Sequence, residues 1–241
     1  MTPKNILISW WTRWIWRWAV IQLLSEWHNI ITFSRNIEKV NALIQDISDI
    51  YSDDRYIIMQ GDATNKEDIQ KIVDTSIQKF WTIDILINNA GCWYFASVDE
   101  WNMEKFQKMI HVNIYGLTLL TQIVVPYMKE KKKWLILNIA SISWKKAFAY
   151  GEFYSATKFA VMWYSEWIRN ELKEYGIKVS TLCPGMIKTD FFDEKEIARR
   201  MKIRNWKTPQ MLEVEDINRI ISLVCNQSDH CDIQDLTVMP F

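Results

Sequence analysis

Strand-like and helix-like segments alternate along this chain, and that alternation constrains its fold more than any other feature. Short runs rich in Ile, Leu and Val are nearly continuous in apolarity, which is typical of parallel strands buried on both faces. Amphipathic stretches of helical length separate these runs. We therefore expect an α/β fold, a doubly wound parallel β-sheet of about seven strands with helices on both faces. The predicted strands are 5–9, 29–33, 55–59, 83–87, 135–139, 178–182 and 236–239, and the main predicted helices are 37–51, 66–80, 103–129 and 154–175.

Length, charge and cysteine content narrow the class of protein. The chain has 241 residues and no repeat or linker, so we expect a single domain over residues 1–241. Its 29 basic and 29 acidic residues lack the basic excess of a nucleic-acid-binding surface. We expect no membrane span, because no uncharged apolar stretch reaches about 18 residues, and no signal peptide. The cysteines show no paired spacing, which indicates reduced thiols in a cytoplasmic protein without a metal site; they are Cys92, Cys183, Cys225 and Cys231.

Five short motifs follow one another along the chain, and each lies beside a predicted strand or helix. They are Asn88-Asn89-Ala90-Gly91, Asn113 within His111–Gly116, Ser141 after the fifth predicted strand, Tyr154 with Lys158, and Pro184-Gly185 with Thr189. Together they resemble the short-chain dehydrogenase/reductase family, whose fold is Rossmann-type, and the resemblance covers nearly the whole chain. It implies an NAD(P)-dependent oxidoreductase that transfers a hydride between a nicotinamide and a carbonyl or secondary alcohol.

Tyr154 and Lys158 are four residues apart on a predicted helix and therefore share one face. A carbonyl reduction needs an acid to protonate the developing alkoxide, and a nearby ammonium lowers the pKa of a tyrosine towards neutrality. The resemblance implies that Tyr154 is the general acid in reduction and the base in oxidation, and that Lys158 lowers its pKa and binds the nicotinamide ribose. It also implies that Ser141 hydrogen-bonds the substrate carbonyl and that Asn113 holds a water in the proton relay. Ser143 is a rival for Ser141, but Ser141 has the family's usual spacing from Tyr154.

The end of the second predicted strand bears on the choice of cofactor. Relatives that prefer NAD place an acidic residue there to accept hydrogen bonds from the ribose. This chain has Ser34 and then Arg35, and Arg13 is a second cation within reach, so we expect NADP, with NAD as the alternative. Asp62 resembles the family residue that meets the adenine. The predicted cofactor site comprises Ser9, Trp10, Thr12, Arg13, Trp14, Ile15, Trp16, Ser34, Arg35, Asp62, Ala63, Asn89, Ala90, Gly91, Tyr154, Lys158, Pro184, Gly185, Ile187 and Thr189.

Tryptophan occupies positions where a dinucleotide-binding turn requires glycine. Segment 9–17 matches a T-G-x-x-x-G-x-G turn only if Trp10, Trp14 and Trp16 are read as glycine. Three indoles would fill the space of the phosphates, because each Trp buries about 150–250 Å². The chain has 6 Gly and 14 Trp, whereas average usage gives about 17 glycines in a chain of this length. Other tryptophans that stand where family members commonly have glycine are Trp27, Trp81, Trp93, Trp134, Trp144 and Trp163.

Three explanations account for these tryptophans. The first is a degenerate relative that has lost its cofactor and acts as a catalytically dead scaffold or interaction protein. The second is a membrane-surface helix rich in Trp and Arg, but its indoles do not keep to one face and the pattern recurs far away. The third, which we favour, is a gene whose UGA codons specify glycine and were translated as tryptophan. That hypothesis leaves Trp101 as a true tryptophan and does not assign Trp167 or Trp206.

The substrate is not specified by any motif. Segment 190–211, which follows Thr189, is expected to set specificity, and it contains no diagnostic chemistry. The C-terminal stretch 235–240 loosely resembles relatives that act on short hydroxy acids such as serine. The resemblance further implies a small-molecule carbonyl or alcohol substrate and a homotetramer or homodimer, with no nucleic-acid or membrane partner.

Overall fold

The computed structural model describes residues 2–9, 15–132, 134–146, 148–189 and 210–241, together with residues 194, 197, 198, 201 and 202. Within these residues seven strands form one sheet in the order β3-β2-β1-β4-β5-β6-β7, and every neighbouring pair is parallel. The predicted fold class is confirmed, and each predicted strand lies within two residues of an observed one. The strands are β1 (Asn5–Ser9), β2 (Asn29–Ser34), β3 (Tyr56–Gln60), β4 (Ile85–Asn88), β5 (Trp134–Ile139), β6 (Ile177–Pro184) and β7 (Asp235–Val238).

The helices connect successive strands. Those whose bounds the structure describes are α1 (Ile15–Ser25), α2 (Ile37–Ile47), α3 (Lys66–Phe80), α4 (Met103–Ile110), α5 (Leu117–Lys131), α6 (Glu152–Leu172) and α7 (Val214–Cys225). The predicted helix 103–129 differs from the structure in its middle, where a π-helical turn, His111–Gly116, separates α4 from α5. Apolar periodicity does not reveal such a turn, because the chain stays helical through it. The predicted helix 37–51 ends early, at Ile47, and the predicted helix 154–175 closes in a 3₁₀ turn, Lys173–Tyr175.

Two apolar layers cover the two faces of the sheet. Successive side chains of a strand point to opposite faces, and β1 shows the division. Ile6 and Ile8 pack in the layer that contains residues of α1, α2 and α7. Leu7, between them, packs in the layer that contains residues of α3, α5 and α6. Helices therefore bury both faces, which is why the strands of this chain are apolar throughout rather than alternating.

The carboxyl ends of the central strands converge at one edge of the sheet. Ser9, Asn88, Ile139 and Pro184 end β1, β4, β5 and β6. The strand order reverses between β1 and β4, so the segments that follow these two strands diverge and leave a crevice between them. Such a crevice is the usual ligand site of an open α/β sheet.

One helical stretch within the described residues, Met103–Lys131, is long and apolar enough to cross a membrane by length and composition. Half of its most apolar window is buried in the fold. Leu120 and Val124 pack there in the same apolar layer as Ile72 of α3. A core helix passes the same test as a spanning helix, so the stretch is weak evidence for a membrane segment.

Candidate active site

Helix α6 begins at the carboxyl edge of the sheet and brings Tyr154 and Lys158 into the interior. Both side chains are buried, with Tyr154 7% and Lys158 5% exposed. The Nζ of Lys158 donates to the main-chain oxygen of Ile139, at the end of β5, over 2.9 Å. It lies 5.9 Å from the centroid of the Tyr154 ring. The predicted pair therefore stands together at the end of a central strand.

The charge of Lys158 is sensitive to its burial. Burial lowers its pKa from 10.5 to about 8, and the neighbouring thiols of Cys92 and Cys183 oppose that shift only in part. Burial also raises the pKa of both thiols to about 11, so neither is ionised at neutral pH. Lys158 is consequently an ammonium at neutral pH, held in a region of low polarity where its field on the Tyr154 phenol is strong.

Asn113 lies in the π-helical turn and is 1% exposed. Its Nδ2 donates to the oxygen of Cys92 over 2.9 Å and to Oγ1 of Thr157 over 3.0 Å. Its Oδ1 accepts from the nitrogen of Cys92 over 2.7 Å. Both amide hydrogens are thus used within the protein, so the predicted relay water has only oxygen atoms of Asn113 to bind. Thr157 also donates to the main-chain oxygen of Tyr154 over 2.7 Å.

Thr157 is a site residue that the motifs did not single out. It joins the side chain of Asn113 to the first turn of α6, and it is buried between Tyr154 and Lys158 in the chain. The sequence did contain a hint of its role, because a hydroxyl group buried in a helical turn normally needs a hydrogen-bond partner. Sequence spacing alone gave no reason to place that partner on another helix.

Ser141 follows β5 and caps a short 3₁₀ turn, Ile142–Trp144. Its Oγ accepts from the nitrogen of Ser143 over 3.2 Å and lies 2.9 Å from the Oγ of Ser143. Ser143 is buried, whereas Ser141 is partly exposed. When Ser143 is the donor between the two hydroxyls, the hydrogen of Ser141 is directed elsewhere. Ser141 is therefore the more accessible of the two hydroxyls.

Ser9 joins the end of β1 to the motif that follows β4. Its Oγ accepts from the nitrogens of Asn89 and Ala90 over 2.9 and 3.1 Å, and Nδ2 of Asn89 donates to its main-chain oxygen over 3.2 Å. Gly91 comes next, and a Cβ there would lie 3.5 Å from Oδ1 of Asn113 and 3.6 Å from Nζ of Lys158. A side chain at position 91 would therefore stand against both polar groups.

The residues predicted for the adenosine end lie after β2 and β3. An oxygen of Asp62 is 3.5 Å from a guanidinium nitrogen of Arg35, and the other carboxylate oxygen accepts from the nitrogen and hydroxyl of Thr64 over 2.9 and 2.8 Å. Ser34 is buried, and its Oγ accepts from the nitrogen of Asn36 over 3.3 Å. Ala63 is buried beside Asp62. Two residues assigned to different parts of the cofactor thus form an ion pair with each other.

The segment after β6 lies beside the C-terminal strand. The nitrogen of Gly185 donates to Val238 over 2.8 Å, and Ile187 forms an isolated bridge with Leu212. A Cβ at Gly185 would lie 2.9 Å from Cδ of Pro240, so close packing against the C-terminus requires glycine there. Thr189 donates to the oxygen of Ile187 over 3.5 Å. Pro184, Gly185, Ile187 and Thr189 therefore form one segment that begins at the end of β6 and packs beside the C-terminus.

Six of the predicted cofactor positions cannot be placed in the same detail. Trp10, Thr12, Arg13 and Trp14 lie outside the described residues. Ile15 and Trp16 open α1, and only their backbone is described. The phosphate-binding role of this turn stays a prediction from sequence.

Two tryptophans adopt a backbone conformation that glycine favours. Trp27 has φ 69° and Trp81 has φ 67°, both in the left-handed region. Each follows a helix, α1 and α3, and each is exposed, by 71% and 80%. Helices very commonly end with glycine in this conformation, because a side chain there costs about 1–2 kcal/mol. Both positions are among those at which the sequence suggested glycine.

The comparisons with known proteins agree on one family. A model described as short chain dehydrogenase matches residues 15–200. An uncharacterized oxidoreductase of Staphylococcus aureus (strain USA300) is 30% identical over 223 residues, which cover 92% of this chain and 91% of the relative. A solved structure of ElxO with NADP bound is 26% identical, with a TM-score of 0.86 over 98% of this chain and 97% of that chain. A 3-ketoacyl-(acyl-carrier-protein) reductase from Brucella melitensis complexed with NADH is 22% identical and shares the fold, with a TM-score of 0.85 over 97% of this chain and 96% of that chain.

Proposed function

Because this chain belongs to the short-chain dehydrogenase family and is an oxidoreductase, we propose that it reduces a carbonyl to a secondary alcohol with NADPH, and catalyses the reverse reaction. The observation that carries the proposal is the placement of the buried Lys158 ammonium beside Tyr154, with its Nζ fixed on the oxygen of Ile139 at 2.9 Å. A cation held in that position favours the ionised form of the phenol.

Three side chains divide the work at the carbonyl. The nicotinamide, when bound, supplies the hydride that adds to the carbonyl carbon. Ser141 donates a hydrogen bond to the carbonyl oxygen, and Tyr154 transfers its phenolic proton to that oxygen as negative charge develops there. The phenolate left on Tyr154 is stabilised by the ammonium of Lys158. In oxidation the same phenolate takes the proton of the alcohol.

Arg35 supports a preference for NADP. Its side chain is 44% exposed just after β2, where a carboxylate would repel a 2′-phosphate. The ion pair with Asp62 at 3.5 Å holds the guanidinium at the predicted adenosine end without enclosing it. Arginine forms two parallel hydrogen bonds with a phosphate. The guanidinium of Arg35 can therefore bind a 2′-phosphate while one of its nitrogens remains paired with Asp62. ElxO, a structural relative, has NADP bound.

The turn after β1 fits a cofactor only with glycine, and we propose that positions 10, 14, 16, 27 and 81 carry glycine in the protein as its own cell makes it. The left-handed backbone at Trp27 and Trp81 supports this proposal independently of the cofactor motif. Peptide mass spectra of the protein from its source organism test it. Glycine masses at these positions support it, and tryptophan masses at 10, 14 and 16 contradict it.

A catalytically dead scaffold is the second candidate function, and the tryptophans that the sequence has at positions 10, 14 and 16 favour it. One assay separates the two functions. The chain with Trp10→Gly, Trp14→Gly and Trp16→Gly is mixed with NADPH and a broad panel of ketones and aldehydes, beside the chain as printed. We expect NADPH consumption with at least one carbonyl by the glycine chain. Absence of turnover across the panel, together with absence of NADPH binding by the glycine chain, would contradict the enzyme and support the scaffold function.

A further inference from the structure

Two phenylalanines stand beside the reactive tyrosine. The ring centroid of Phe95 lies 5.8 Å from that of Tyr154, with the rings at 79° to each other. Phe148 lies edge-on to Phe95, with centroids 5.7 Å apart. Both are only partly buried, although Tyr154 itself is buried. We call Phe95 and Phe148 the aromatic wall.

The aromatic wall lies on two segments that adjoin the candidate catalytic residues in the chain. Phe95 follows β4 and the motif that ends at Gly91, and Phe148 lies between Ser141 and Tyr154 in the chain. Phe148 is seated on Gly151 at the start of α6, where a Cβ would overlap its ring. The wall therefore lies beside the ring of Tyr154, with Phe148 packed on the first turn of α6.

We infer that this site takes a ketone or secondary alcohol with a bulky apolar or aromatic substituent beside the reacting carbon. The inference rests on the proposed function and adds the substrate class to it. A Phe ring buries about 150–250 Å² when covered, and ring pairs add about 0.5–1.5 kcal/mol to that burial. A partly exposed wall of two such rings beside the proton donor therefore favours a flat apolar group over a short hydrophilic acid.

Trp93 is left out of the wall. It stacks on Phe95 with centroids 4.9 Å apart, but it is one of the positions at which the sequence suggests glycine. Phe95 and Phe148 are phenylalanines whichever residue stands at position 93.

Two matched probes test the inference: acetophenone, an aryl ketone, and acetoacetate, a short oxo acid. The ratio of their kcat/KM values is measured with NADPH for the glycine chain described above. We expect the ratio to favour acetophenone at least tenfold. Phe95→Ala should lower the ratio by roughly tenfold or more, and Phe95→Leu by less, since apolar pocket contacts discriminate by about 10–200-fold.

Phe80→Ala is the matched control. Phe80 is a partly buried ring at the end of α3 that packs in the core rather than at the site. Its substitution should leave the ratio unchanged, even where it lowers stability. A preference for acetoacetate would overturn the inference. So would a ratio in Phe95→Ala equal to that of the parent, because an equal fall in kcat/KM for both probes would mean that the wall only orients Tyr154.

A binding measurement separates failure of the inference from failure of the proposed function. If neither probe is reduced, the proposed function loses support, and saturation-transfer NMR with acetophenone then decides the inference. A signal that falls in Phe95→Ala and not in Phe80→Ala supports an aromatic-binding site. Equal signals in the parent and Phe95→Ala contradict it.

Discussion

The two ends of the candidate cofactor crevice depend on different parts of the chain. At the catalytic end the chemistry belongs to side chains, and Asn113, Thr157 and Tyr154 are joined by hydrogen bonds of 2.7 to 3.0 Å. At the phosphate end the chemistry belongs to the backbone, which must come close to the pyrophosphate and therefore needs glycine. The catalytic residues that the family resemblance implies are all present in this sequence, whereas the turn after β1 carries Trp10, Trp14 and Trp16. The proposed function therefore depends most on which residues stand in this turn.

Removing the proton donor should have the largest effect at the catalytic end. We expect Tyr154→Phe to lower kcat by roughly 10²–10⁴-fold, the range for loss of a general acid, and to leave NADPH affinity nearly unchanged. Tyr164→Phe, on the same helix, is the control and should retain activity. Steady-state kinetics and an NADPH titration check both variants. A kcat for Tyr154→Phe within tenfold of the parent would remove this residue from the reaction.

The pH profile should report the ammonium at that end. Because burial lowers the pKa of Lys158 to about 8, the ammonium is present below that pH and is lost above it. We expect the rate of carbonyl reduction to fall as pH rises through about 8. Lys158→Arg keeps its charge and should lose this descending limb, at a lower overall rate. A limb that stays at the same pH in the arginine variant would assign it to another group.

The adenosine end should discriminate between the two cofactors. Arg35→Ser removes the guanidinium and should raise the Kd for NADPH by roughly tenfold, since hydrogen bonds to charged groups contribute about 1.5–3 kcal/mol. The Kd for NADH serves as the internal control and should change less than twofold. Equal weakening of both cofactors would mean that Arg35 does not meet the 2′-phosphate.

The smallest effects concern the tryptophans away from the turn. Trp81→Gly should raise the free energy of unfolding by about 1 kcal/mol, because it relieves a left-handed side chain. Trp27→Gly should raise the free energy of unfolding by less, because it also removes the contact between the Trp27 ring and the guanidinium of Arg55, which lies 5.5 Å from the ring centroid. Trp101→Gly is the contrast and should destabilise, because Trp101 packs 4.3 Å from Phe153, centroid to centroid. Denaturant titrations of the three variants measure these changes in the free energy of unfolding. A loss of stability in Trp81→Gly would contradict the prediction.

The sheet was predictable because its strands are apolar on both sides. Strand β1 has the bounds predicted for it, and the other strands are displaced by at most two residues. The π-helical turn was not predictable, since an added residue in one turn leaves no mark on apolar periodicity. That turn positions Asn113 against Cys92, so the largest departure in secondary structure lies at the site.

The site was predictable where the spacing within a motif brings residues together. It was unpredictable where tertiary contacts determine which residues lie together. Tyr154 and Lys158 lie together because four residues separate them on one helix. The ion pair between Arg35 and Asp62 joins the ends of two strands, and the contact between Phe95 and Tyr154 joins segments 59 residues apart. Nothing in local sequence specifies such contacts.

Direct titration of NADPH into the printed chain and into the chain with glycine at positions 10, 14 and 16 tests the central claim most directly. We expect saturable binding by the glycine chain and none by the printed chain over the same concentrations, with both folded by circular dichroism. Absence of binding by the folded glycine chain would contradict a cofactor site at the turn after β1. Equal binding by both chains would contradict the requirement for glycine there.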